Sequence, residues 1–274
     1  MNAHALATPR RSTSSAGTTL RLMAQFWFVV AFVGQLLFAY YVLAYYGASA
    51  IEGSWTKWNV VFKHGYVAGD SFGNIAVGVH LFLAFVVTIC GPLQLIPQIR
   101  THAPVFHRWN GRIYLTTALV TSIAGLVMLF NRGSVGGAIQ HVGIALNAVL
   151  VIIFAAMALR YALARDFVTH RRWALRLFLA VSGVWFYRVG LMLWLVVNKG
   201  PAGFDPVTFQ GPFLSFISFA NYLLPLAILE IYFYAKRKGN TFDQMVMAAG
   251  LFVLTLAMSA GILFATKFMW FSRL

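Results

Sequence analysis

Long apolar stretches separated by short polar clusters run the length of this chain. Six stretches contain no Asp, Glu, Lys or Arg: residues 22–51, 71–99, 113–131, 133–159, 206–229 and 244–266. A seventh, 177–198, is interrupted only by Arg188. About 20 mostly apolar residues suffice to cross a bilayer as an α-helix. The pattern therefore predicts seven membrane helices, near 23–46, 73–98, 110–130, 136–161, 171–198, 213–236 and 243–268. Turn-forming residues stand between them. Gly91-Pro92 and Pro97 punctuate the end of the second helix, and Asn131-Arg132-Gly133-Ser134 with Gly136-Gly137 separates the third from the fourth. Lys199-Gly200-Pro201, Asp205-Pro206 and Gly211-Pro212 mark the loop before the sixth, and Lys236 to Asn240 a tight basic turn before the seventh. The predicted fold is all-α: one polytopic transmembrane bundle over 23–269, preceded by a polar, disordered tail at 1–22.

Composition excludes a water-soluble domain. The chain is 60% hydrophobic and 10% charged, against about 25% charged in soluble domains. Its net charge of +15 has a topological explanation. With seven spans, 14 of the 21 Lys and Arg fall on the side of the N-terminus, six on the other, and Arg188 lies between. The positive-inside rule then puts the N-terminus in the cytoplasm and the C-terminus outside, and no nucleic acid is called for. The loop 47–72 faces outward, with Trp55 and Trp58 as candidate interface anchors. Ala48-Ser49-Ala50 resembles a cleavage site, but the run before it exceeds the 7–15 residues of a signal's apolar segment, so the first helix reads as an uncleaved anchor. One cysteine, Cys90, excludes an intrachain disulfide, a multi-cysteine zinc site and an iron–sulfur cluster.

Four of the seven histidines fall one per helix in the second to fifth helices: His80, His107, His141 and His170. The steps from His80 to His107 and from His141 to His170 are 27 and 29 residues. His107-Arg108-Trp109 and His170-Arg171-Arg172-Trp173 also match, so a helical hairpin repeats. Imidazoles at one depth on facing helices supply two axial ligands for a haem iron. The pattern thus points to one or two b-type haems, held by His80 with His141 and by His107 with His170. Arg108, Arg112, Arg171, Arg172 and Arg176 surround the second pair, as partners of haem propionates or of anionic lipid. Arg188 is a counter-charge for a propionate or another anionic ligand, or an arginine snorkelling to headgroups. Each histidine also has a plain reading, as an interfacial anchor or a hydrogen-bonded helix residue.

The stretch Gly91-Pro92-Leu93-Gln94-Leu95, then His107-Arg108-Trp109-Asn110-Gly111-Arg112-Ile113-Tyr114, is similar to the signature of bacterial membrane proteins grouped as domain-of-unknown-function family 2306. His170-Arg171-Arg172-Trp173 followed by Arg188 is similar too. The likeness spans about 73–198, and it implies a bacterial inner membrane. The distribution of histidines over four consecutive helices resembles the cytochrome b-561 and ferric-reductase architecture. That resemblance implies a di-haem core taking electrons from a quinol or small reductant to an acceptor across the membrane. The extra helices 213–236 and 243–268 depart from its six spans.

Two functions compete on this reading. One is a haem-binding transmembrane electron carrier, a possible oxidoreductase. The other is a non-redox membrane protein: a small-molecule or lipid transporter, or a structural subunit. A helix broken near the midplane favours a transporter. Glu230 relays a proton or pairs with Arg172 or Arg176, and Asn147, Gln140, Asn221 and Tyr187 line a pocket or serve helix packing.

Overall fold

A computed structural model describes residues 15–62, 64–133 and 136–274. Residues 1–14 of the predicted tail and Ser134 of the predicted turn lie outside the described residues. Eight principal helices follow in order: α1 (Ser15–Tyr41), α2 (Ser71–Leu95), α3 (Pro104–Arg132), α4 (Ala138–Leu163), α5 (Phe167–Val181), α6 (Gly183–Val197), α7 (Pro212–Arg237) and α8 (Thr241–Ala265). Among the described residues six spans are long and apolar enough to cross a membrane, and α5 with α6, taken as one bent span, passes the same test. The bundle predicted from hydropathy is present.

Local chemistry sets the helix ends. The Asp70 carboxylate accepts from Gly73 N–H at the start of α2, and Asp166 accepts from Thr169 N–H at the start of α5. Asn240 and Asp243 form a reciprocal capping box at α8. Pro104 and Pro212 occupy first-turn positions, where a missing N–H costs nothing.

Three boundaries differ from the sequence expectation. α1 begins at Ser15, so residues 15–22 are helix rather than disordered tail. α2 ends at Leu95, three residues before the expected end, and Pro97 opens the next short helix. Pro92 lies inside α2 and leaves the Thr88 carbonyl without its intrahelical donor; α3 packs alongside, and its Asn110 amide donates to the Cys90 carbonyl at 2.9 Å. The third difference is the largest. The fifth span is two helices, bent by 51° at Ser182. The Ser182 hydroxyl donates back to the Phe178 carbonyl, and Gln35 of α1 donates to that hydroxyl at 2.9 Å. A Cβ at Gly183 would stand 2.7 Å from Asn221 Oδ1 and 2.8 Å from Asn147 Nδ2. Polar side chains from three helices thus converge on a Ser-Gly step, a recognised cause of kinks.

The histidine-bearing helices form a ring: α2 packs on α3, α3 on α4, α4 on α5, and α5 closes back on α2. Val87, Tyr114, Val151 and Leu177 form the apolar core between them. A second core joins α1, α6 and α8 around Phe38, Trp185, Val189 and Ile262. Close approach there depends on small residues: a Cβ at Gly261 would lie 2.6 Å from the Val189 carbonyl oxygen. Tyr41, Tyr46, Trp58 and Trp270 cap this core, all under 5% exposed. Trp58 is therefore packed against Tyr46 and donates to its carbonyl, rather than anchoring in lipid. Trp55, 39% exposed, keeps a surface position.

Candidate functional site: a polar cavity at the helix break

Where the ring of α2–α5 meets α1 and α6, the bundle forms a partly open cavity of about 190 Å³. Its wall is mostly hydrocarbon, from Phe38, Leu81, Val151, Phe178 and Trp185. Set in that wall are polar groups from six segments. Six of them carry buried atoms with no hydrogen-bond partner within 3.5 Å: Tyr46 Oη, His80 Nδ1, Tyr114 Oη, Thr121 Oγ1, Asn147 Oδ1 and Arg188 Nε. Buried polar atoms are normally paired, and an unsatisfied one in hydrocarbon is costly. Six on one wall make this cavity the candidate functional site.

Helix periodicity explains the convergence. Tyr114, Ala118, Thr121 and Gly125 recur on one face of α3, and His80, Ala84, Val87 and Thr88 on one face of α2. His80 lies beside the Thr121 backbone, and its Cε1 is 3.6 Å from where a Gly125 Cβ would be. The absence of that side chain gives the imidazole its place. Ser182 and the first turn of α6 border the cavity. Arg188, further along α6, stands over the Phe38 ring with its Cζ 5.4 Å from the centroid.

The structure brings His80 and Arg188 to one cavity. His141 is not on that wall. It stands three residues into α4, whereas His80 stands nine into α2. At the opposite, basic end of the bundle, His107 and His170 lie close enough for their charges to interact. His170 Nδ1 bonds the Ala158 carbonyl at 2.8 Å, while His107 Nδ1 is buried with no partner within 3.5 Å.

The arginines of the basic end are largely engaged. Arg176 pairs with Glu230 at 2.7 Å and lies over Trp173. Glu230 thus takes the pairing alternative. Arg172 covers Phe233, and Arg112 covers Trp109. Arg108 and Arg171 are exposed. Gln140 is held by the Gly137 N–H and the Phe209 carbonyl, and Asn221 by carbonyls of its own helix. Both serve the scaffold, whereas Asn147 faces the cavity. Among the described residues no three His, Cys, Asp or Glu side chains gather as metal ligands.

Sequence reasoning missed Tyr46, Tyr114, Thr121 and the Gln35–Ser182 pair. The small and polar positions spaced by three and four along α3 were the available signal. Nothing local marked Tyr46, which reaches the site through a π-helical turn, Val42–Gly47, at the end of α1.

Residues 77–208 match the model of a family described as a predicted membrane protein (DUF2306). The matched stretch contains both His-Arg motifs and most of the cavity wall. No curated protein and no solved structure matches the chain.

Proposed function

We propose that this membrane protein binds a small molecule in the core of its bundle and works as a small-molecule carrier of the transporter kind. The carrying observation is the cavity of about 190 Å³ with six unpartnered polar atoms, set against the break at Ser182. Transporter sites favour such discontinuous helices, because a break frees polar groups and gives two half-helices that move separately. The bend between α5 and α6 supplies the hinge on this reading, and the rest of the ring supplies a fixed wall.

Size weighs against haem in this cavity. An engineered cavity of roughly 150 Å³ takes a benzene molecule, and a porphyrin contains four five-membered rings and their bridges. The cavity is of the benzene class. His141 is not on the cavity wall, so the binding reading draws on His80 without it.

A second reading keeps an electron carrier at the basic end. The bond from His170 Nδ1 to the Ala158 carbonyl favours it, because such a bond fixes the ring and leaves Nε2 for a ligand. His107 is the neighbouring imidazole, with Arg108, Arg112, Arg171 and Arg172 nearby in sequence for the propionates. A haem there supplies one-electron transfer.

Two measurements test the choice. Purified protein in detergent is expected to gain thermal stability with benzene-sized probes such as toluene. Ala148→Phe, which fills the cavity, is expected to abolish the gain while the protein still folds. A reduced-minus-oxidised spectrum of protein from haem-replete cells is expected to lack b-type bands. Bands lost in His170→Ala, with no response to any probe, would replace the carrier reading by the electron-transfer one.

A further inference from the structure

Arg188 defines the charge of the occupant. A guanidinium stays protonated in any protein setting, so this side chain brings a permanent cation to the cavity wall. Its Nε is buried without a partner, and its recorded close contact is the face of Phe38. Its electrostatic neighbours Tyr46 and Tyr187 are phenols. An arginine at membrane depth ordinarily finds a carboxylate or carbonyls.

The chain has six Asp and Glu, and every one is engaged elsewhere. Glu52 pairs with Lys57 at 3.0 Å and Glu230 with Arg176 at 2.7 Å. Asp70, Asp166 and Asp243 are committed to helix starts. Asp205 accepts from Val207 N–H and the Thr208 hydroxyl within its own loop. None is left for Arg188.

Building on the binding reading above, we infer that the cavity is a site for a small organic carboxylate with an apolar body, its anion held by Arg188. Charge matching selects a monoanion, because Arg188 is the one permanently charged side chain on the wall among the described residues. Carboxylate geometry suits a guanidinium, which presents paired N–H donors. The Tyr46 hydroxyl, beside Arg188, is a further donor. Phe38, Phe178 and Trp185 offer the body a hydrocarbon surround of benzene size.

Benzoate and its neutral isostere benzamide separate charge from shape. Calorimetric titration of the detergent-purified protein at pH 7 is expected to show saturable benzoate binding, at least about tenfold tighter than benzamide. Arg188→Gln is expected to lose that preference, and Arg188→Lys to keep part of it. Thermal unfolding without ligand is the control for folding. If Arg188→Gln does not fold, the wild-type preference decides alone. Equal binding of benzoate and benzamide overturns the anion inference and leaves the binding reading standing. Absence of binding by benzoate, benzamide and toluene overturns both.

Discussion

The two ends of the bundle handle their polar groups in opposite ways. At the basic end, most polar groups find a partner close at hand, His107 Nδ1 excepted. Asn110 reaches the Cys90 carbonyl, Gln94 the His107 carbonyl, His170 the Ala158 carbonyl and Arg176 the Glu230 carboxylate. Around the cavity, Asn147, His80, Tyr114, Thr121 and Arg188 each present a buried atom without a partner. The same residue types occur at both ends. Paired, they tie helices together. Unpaired, they weaken the scaffold and make sense only through what they hold. Stability given up at a site is a common mark of function.

The largest expected effect concerns how the cavity end stays folded without such pairs. Trp270 is 0% exposed and packs against Phe38 with ring centroids 5.3 Å apart and planes tilted by 45°. Trp270→Ala is expected to cost about 3 kcal/mol or more, read as a lower unfolding midpoint in detergent. A loss near zero would mean that aromatic packing does not compensate for the open polar wall.

The comparison is sharpest between two asparagines. Asn110→Ala removes a bond from a residue 5% exposed and is expected to cost about 1–3 kcal/mol. Asn147→Ala removes an unpartnered Oδ1 and is expected to leave stability unchanged or slightly raised. Equal losses in the same unfolding assay would erase the distinction between the ends.

Two arginines give a smaller contrast. Glu230 is half exposed in its pair with Arg176, so Arg176→Ala is expected to cost no more than about 1 kcal/mol. Arg188→Met relieves an unpartnered charge and is expected to preserve the midpoint while abolishing benzoate binding. A large stability loss in Arg188→Met would reassign that arginine to the scaffold.

The smallest effect is a pH dependence at the basic end. Hydrogen bonds from Thr169 hold the exposed Asp166 carboxyl below its ordinary 3.8. A depressed folded-state value stabilises the helix start above the unfolded value, and the benefit is lost as pH falls through the folded one. Asp166→Asn is therefore expected to flatten a small loss of stability below about pH 4. The cavity wall carries no such carboxylate, so probe binding there is expected to show no step from the protein in that range.

Much of this was legible in the amino-acid order. Uncharged runs located the spans, because a bilayer admits backbone only as helix or closed barrel. His80 and Arg188 stood out because ionisable groups inside such runs are rare. The cavity wall holds His80 and not His141. Distance from a predicted helix end is a poor measure of depth when helices begin at different levels. Continuity of the fifth span also misled, since apolar runs record length and composition but not direction. Ser182 and Gly183 look like ordinary small membrane residues until Gln35, Asn147 and Asn221 meet them.

By itself the sequence determined an all-helical membrane bundle, the approximate spans, and which ionisable residues lie within them. Those follow from the cost of placing polar groups in hydrocarbon, residue by residue. Only the tertiary structure decided that His80 and Arg188 share one cavity and that the fifth span breaks beside them. Those outcomes depend on rotation and offset between helices, which are set by close side-chain packing that the order of residues does not display.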